Sequence, residues 1–164
     1  MSQATDKKAA APEQKKKKKS RKRISGDYQV PEYITVSVTD PITHQDANGK
    51  NSYTDYKIST QTTLPDFKST DFSVRRRYSE FVWLRAHLKQ KLDEKGKRLT
   101  IAELPGNTMF SLFNISNGRF DPKFIEDRRL SLETFLNSVV NHPWARFEDG
   151  LKNFLEAQTY QCKD

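Results

Sequence analysis

The sequence predicts an α+β domain, a three-stranded antiparallel β-meander packed against a helical subdomain of about three helices. Two observations carry this. Between residues 33 and 78 apolar and β-branched residues alternate with a period of two, broken by turn residues. From residue 79 onward the apolar spacing changes to the three-to-four-residue period of helices. Strands first and helices afterwards, with no internal repeat, is the element order of an α+β fold.

The first strand is expected at Tyr33-Ile34-Thr35-Val36-Ser37-Val38. Asp40-Pro41 and the stretch from Gln45 to Ser52, with Asn48-Gly49, supply turn chemistry after it. Tyr53 to Gln61 reads as a second strand with Tyr56 and Ile58 on one face, and Leu64-Pro65 interrupts it. Phe72 to Tyr78 makes the third, and short polar links join all three as a meander. Phe81, Leu84, Leu88 and Leu92 then form one stripe of a helix over about 79–94, with Ser79 as its expected N-cap. An irregular stretch runs from Gly96 to Gly118 and contains Leu104-Pro105-Gly106. A second long helix fits 122–141, with Pro122 in its first turn and His142-Pro143 ending it. A last helix at 147–157 would bury Phe147, Leu151, Phe154 and Leu155.

The chain has 164 residues, enough for one domain with a single core. Its charge is uneven. Residues 1–27 carry ten Lys/Arg against three Asp/Glu, and residues 28–164 carry 19 against 18. The polar, Lys-rich 1–27 is expected to be a disordered basic tail, 28–158 the folded domain and 159–164 a short C-terminal tail. No apolar run approaches the ~20 residues of a membrane span, and no signal-peptide stretch is present, so any membrane contact is expected to be peripheral. The single cysteine, Cys162, excludes an internal disulfide and fits a cytosolic address.

Signatures of catalysis are missing. His44, His87 and His142 are scattered, no metal-ligand spacing joins them to Cys162, and there is neither a phosphate loop nor a nucleophile elbow. The expectation is a protein without enzymatic activity, metal or cofactor.

Two features point to an anion instead. On a helical wheel with Phe124 at the origin, Arg128 falls at about 40°, inside the arc of Ile125, Leu132, Phe135, Leu136, Val139 and Val140. A guanidinium so placed needs an anionic partner, a carboxylate of the same domain, or a path for snorkelling to the rim. The second feature is Arg75-Arg76-Arg77-Tyr78-Ser79-Glu80-Phe81, where the third strand meets the first helix. Alternation sends Arg75 and Arg77 to one face and Arg76 to the other. The helix N-terminus favours anions, and arginines beside an aromatic can fork onto a phosphate. A basic run of this kind is also what a solvated strand face looks like. Ser79, with arginines two to four positions upstream, stands in the setting that basophilic kinases favour. Its phosphate would compete for Arg77.

The string Arg-Arg-Arg-Tyr-Ser-Glu-Phe-x-Trp-Leu-Arg at 75–85 resembles the signature of PX (phox homology) domains of the short sorting nexin type. So do Leu104-Pro105-Gly106 and Phe124-Ile125-Glu126-Asp127-Arg128-Arg129. The resemblance covers roughly 32–158 and implies the PX fold and a pocket for phosphatidylinositol 3-phosphate. It assigns the 3-phosphate to Arg77, packing against the inositol ring to Tyr78 and ring hydroxyls to Arg128, with Ser79 beside them. Members of the family usually carry a Lys directly after Leu-Pro-Gly, whereas this chain has Asn107. That removes one charge-assisted contact worth about 1.5–3 kcal/mol, for which Lys97 or Arg98 are the candidate substitutes.

Met109, Phe110, Leu112, Phe113 and Ile115 crowd the loop that borders the pocket in this family. They suit insertion into a bilayer, and Met109, Leu112 and Phe113 also fit a short core helix. The implied function is an adaptor on the cytosolic face of early endosomes, with retromer and cargo tails as partners, monomeric in solution and without a nucleic-acid ligand. The alternative is a PX-fold protein-interaction module that binds lipid weakly. Lys15–Lys19 and Arg21-Lys22-Arg23 would add attraction to anionic lipid, up to ~1 kcal/mol per residue. They also fit a nuclear localisation signal or a nucleic-acid contact.

Overall fold

The computed structural model describes residues 31–45, 52–106 and 120–160. Its elements are β1 (Ile34–His44), β2 (Tyr53–Thr62), β3 (Asp71–Arg77), α1 (Tyr78–Glu94), α2 (Pro122–Val140), a 3-10 turn (Ala145–Phe147) and α3 (Asp149–Glu156). The strands form one antiparallel sheet in the order β1-β2-β3. The α+β meander expected from the change of period is the fold observed.

One face of the sheet is the floor of the core. Val36, Val38, Tyr56, Ile58, Thr60, Val74 and Arg76 point into it, each buried, while Asp55, Lys57, Arg75 and Arg77 fall on the other face. The α1 stripe of Phe81, Leu84, Leu88 and Leu92 is wholly buried against it. Phe81 meets Phe135 of α2 and Phe154 of α3 edge-on, with centroids 6.4 and 5.0 Å away, and so joins the three helices. α2 opens on Asp121, whose carboxylate accepts from the N–H groups of Lys123 and Phe124, with Pro122 following at the first helical position. On the outer edge of β1, Arg129 of α2 donates to the Val38 carbonyl (2.6 Å) and Glu133 accepts from the Val38 N–H (3.4 Å). These bonds occupy backbone groups that an edge strand would otherwise present to another chain.

The structure departs from the sequence expectations at three places. Asp40-Pro41 does not end β1. Asp40 adopts a left-handed φ of 49°, the pairing register shifts between Thr39 and Ile42, and the strand resumes to His44. Asp tolerates that conformation, and Pro is admissible because β1 is an edge strand at an irregularity. Tyr78 is the first residue of α1 rather than the last of β3, and Arg77, not Ser79, is the N-cap. Glu80, three residues on, reaches back to accept from the Arg77 N–H at 2.5 Å, which sets the helix start one residue earlier. Phe147 is 58% exposed, because the chain after Pro143 takes a 3-10 turn before α3, so the apolar period of α3 does not extend back to it. Near the end of the described chain the Tyr160 ring contacts Phe154 and Trp83. The Asn48-Gly49 turn lies outside the described residues. Among the described residues no helix is long and apolar enough to cross a membrane.

Candidate functional site

β3 runs directly into α1, so the three consecutive arginines and Tyr78 are held by a strand end and a helix start. Alternation then gives each arginine a separate environment. Arg75, on the solvent face, donates to Asp55 (2.6 Å) and Asp40 (2.9 Å). Burial works against its charge, yet these hydrogen bonds prevail and its pKa lies above the ordinary value. Arg76 points into the core and is 1% exposed. Its guanidinium donates to the carbonyls of Phe154 and Arg75, both at 2.9 Å, and of Ala157, and lies against the Phe154 and Tyr160 rings. Arg77 is exposed, with its Cζ 3.4 Å from the centroid of the Tyr53 ring. Beneath it, burial raises the pKa of the Glu80 carboxyl, opposed by the Arg77 N–H and the charges of Arg76 and Arg77. Ser79 is exposed one position inside α1.

Tyr78 is the hinge between this strand end and the helices. Its hydroxyl donates to the Pro105 carbonyl at 2.6 Å, which ties Leu104-Pro105-Gly106 to the start of α1. The segment leading there runs back along α2: the Thr100 N–H meets His142 Nε2 at 3.4 Å and the Ala102 N–H meets Ser138 Oγ at 2.9 Å. Glu103 takes both its oxygens to Arg85 of α1, at 2.5 and 2.6 Å. Arg128 sits half-buried with its guanidinium 4.3 Å from both the Tyr78 and the Phe124 ring. Burial raises the Tyr56 pKa, and the charge and hydrogen bond of Arg128 oppose it. The cation that the helical wheel placed among apolar residues is thus held by two aromatic faces.

Of the residues singled out from the sequence, the structure brings together Tyr78 and Arg128, with Leu104-Pro105-Gly106 beside them. Arg77 and Ser79 adjoin Tyr78 in the chain, but the Arg77 side chain turns to the solvent face of the sheet. Lys97 lies elsewhere, with its ammonium 4.4 Å from the Trp144 ring. Trp144 follows the end of α2, about 20 Å along that helix from Arg128 at 1.5 Å per residue. Arg98 is exposed beside Lys97 and enters the same end of the segment. Asn107, Met109, Phe110, Leu112, Phe113 and Ile115 lie outside the described residues. A cleft of about 520 Å³ opens at another place, between Trp83, His87, Gly150, Asn153 and Tyr160, away from Arg128. Sequence reasoning missed Tyr53 and Tyr56 as neighbours of Arg77 and Arg128, and the Pro105 carbonyl as the acceptor for Tyr78. For Tyr53 the signal was present, since it shares a strand face with Asp55, the cross-strand partner of Arg77.

Residues 64–158, which include this strand-to-helix junction and Arg128, match the PX domain family model. The chain belongs to the PX domain family. Human Sorting nexin-3 is 37% identical over 126 residues, covering 76% of this chain and 74% of that protein. Sorting nexin 1 of Arabidopsis thaliana is 38% identical over 142 residues, covering 83% of this chain. The chain spans only 33% of that relative, and 24% of Sorting nexin-1 of Rattus norvegicus. Among solved structures, the X-ray structure of a designed CISK-PX domain aligns with a TM-score of 0.55 and 27% identity, over 75% of this chain and 99% of that one.

Proposed function

We propose that this chain is a peripheral membrane adaptor whose PX domain binds phosphatidylinositol 3-phosphate on the cytosolic face of early endosomes and supports protein sorting and retrograde transport. The observation that carries the reading is the Tyr78–Arg128 pair. An aromatic face and a guanidinium lie 4.3 Å apart at the mouth of the Leu104-Pro105-Gly106 segment, and a hydrogen bond to Pro105 fixes the ring. Arg128 supplies donors for ring hydroxyls, the Tyr78 ring an apolar wall for the inositol, and Arg77 a charge for the 3-phosphate. The apolar run Met109, Phe110, Leu112 and Phe113 would enter the bilayer beside the headgroup, and the basic tail would add attraction to anionic lipid. Retromer and cargo tails are the proposed partners, met by a monomer.

A second reading, a protein-interaction module with weak lipid binding, is favoured by Asn107 and by the engagement of Lys97 with Trp144, which leaves the family's usual lysine position without a cation from that residue. Flotation of the full chain with phosphatidylcholine vesicles, with and without a small fraction of phosphatidylinositol 3-phosphate, separates the two. Arg77→Ala and Arg128→Ala should each lower binding at least about tenfold, the loss of one charge-assisted contact. Unchanged binding in both variants, or equal binding to plain vesicles, would sink the lipid reading.

A further inference from the structure

The Arg77 guanidinium rests on a built support. Tyr53 and Asp55 of β2, His44 of β1 and Arg77 of β3 share the solvent face, with His44 paired to Tyr53 and Arg77 paired to Asp55. The His44 ring stacks on Tyr53, with centroids 4.6 Å apart and planes 23° apart. Arg77 Cζ lies 3.4 Å from the Tyr53 centroid. Because β1 and β3 flank β2 on opposite sides, the Tyr53 ring is held between an imidazole and a guanidinium. The imidazole is itself fixed: His44 Nε2 lies 2.8 Å from Asp55 Oδ2, and Asp55 Oδ1 accepts from Arg75 Nε at 2.6 Å. Arg75 in turn donates to the side chain and the carbonyl of Asp40.

This arrangement has two chemical consequences. Asp55 is the cross-strand neighbour of Arg77 and its natural ion partner, but His44 and Arg75 occupy both of its oxygens. Among the described residues Arg77 forms no ion pair, and its guanidinium engages a ring. A stacked guanidinium uses its face and leaves the N–H fork in its plane open to an anion. The side chain is thereby ordered before any ligand arrives, without losing a donor.

We propose that Tyr53, braced by His44, is a positioning residue that presents the Arg77 fork to the phosphate monoester of the lipid headgroup. This rests on the assignment of Arg77 to the 3-phosphate. The test measures dissociation constants of the full chain for phosphatidylcholine vesicles with and without phosphatidylinositol 3-phosphate, with a thermal melt of each variant. Tyr53→Thr, which keeps the strand but removes the ring, should weaken binding about two- to fivefold, the strength of an exposed cation–π contact. Tyr53→Phe should bind like the parent, and His44→Ala should fall between the two. In an Arg77→Lys background, which lacks the planar fork, Tyr53→Thr should cost less than about twofold. If Tyr53→Thr melts early, Tyr53→Phe and His44→Ala decide.

Equal losses in the parent and the Arg77→Lys backgrounds, a loss with Tyr53→Phe, or unchanged binding in both Tyr53→Thr and His44→Ala would overturn the proposal. Failure of the lipid assignment reads out separately, as unchanged binding in Arg77→Ala itself.

Discussion

Replacing Arg76 by Met tests whether the middle arginine of the run belongs to the fold. Met keeps an unbranched apolar stem in the core but removes every N–H. The guanidinium donates to three backbone carbonyls, those of Phe154, Arg75 and Ala157, at a site 1% exposed. Each charge-assisted bond is worth about 1.5–3 kcal/mol, and all three acceptors would lose this donor. Part of that sum is offset, because the native protein also bears the cost of keeping a charge out of water. Contacts to the Phe154 and Tyr160 rings, at 5.4 and 5.0 Å, are lost as well. The net destabilisation expected is about 3–5 kcal/mol, because up to three buried carbonyls are left without this donor at about 1–3 kcal/mol each, less the offset. For a domain of this size that lowers Tm by roughly 10–20 °C. Calorimetry of the full chain measures it, and vesicle flotation well below both transitions should show lipid binding within about twofold of the parent. A fall in Tm under about 3 °C would refute the account, since it would mean that Arg76 contributes no more than a surface residue. Alternation alone sets Arg76 on the face opposite Arg77, where its loss is expected to matter less for lipid binding and so to suit a control for Arg77→Ala. Its burial makes it the wrong control.

Two further outcomes follow from the start of α1. Glu80→Gln keeps the reach back to the Arg77 N–H while removing a carboxylate whose pKa burial raises. A raised carboxyl binds its proton more readily in the native state than in the unfolded chain. Its charge therefore costs stability above the folded pKa, and that cost fades as pH falls into the ordinary carboxylate range. Glu80→Gln should raise Tm at pH 7 and raise it less near pH 4, and an equal gain at both would rule the explanation out. Ser79→Glu places an anion on an exposed position next to Arg77, and should release the protein from vesicles at least about fivefold while Tm changes by under about 2 °C. Ser79→Ala should keep both properties; early melting of both variants with equal binding would make Ser79 a structural residue only.

The fold was legible where burial depends on local period alone. The stripe Phe81, Leu84, Leu88, Leu92 and the arc Leu132, Phe135, Leu136, Val139, Val140 are buried as their spacing requires. Tyr56 and Ile58 face the core together for the same reason. What was not legible depends on which of two faces is covered. Alternation separates Arg76 from Arg75 and Arg77, and it also groups Arg76 with Val74. Only the packing of α3 and the chain to Tyr160 against that face turns the grouping into burial. The start of α1 was misplaced because Ser is a good cap by composition, whereas Glu80 determines the cap from three residues downstream. The continuation of β1 past Pro41 was hidden because Asp-Pro signals a turn, and an edge strand is one of the few places where the same pair can sit inside a sheet. At the site, Arg128 was legible as a cation in apolar surroundings. Of its two ring partners, Phe124 stands one turn back on the same helix and was legible from spacing, whereas Tyr78 comes from another helix and only the family resemblance set it beside Arg128.

Three adjacent arginines thus meet three different chemistries, and the arrangement frees the third by engaging the first two. Arg76, sent inward, ties β3 to the carbonyls of α3 and the chain beyond it, so the strand end cannot shift without breaking the core. Arg75 is sent outward beside Asp55, and the left-handed turn at Asp40 brings a second carboxylate against it. With His44 on its remaining oxygen, both Asp55 oxygens are engaged by residues other than the arginine that the sheet register sets opposite it. Arg77 therefore lies on an aromatic face, which orders a guanidinium without neutralising it. A basic run on a solvated strand would show three exposed side chains, each free to pair with whichever acid lies nearest. Here one arginine is buried, one is bound to two carboxylates and one rests on an aromatic ring, a division that the proposed phosphate site would require of a strand end that also anchors the fold.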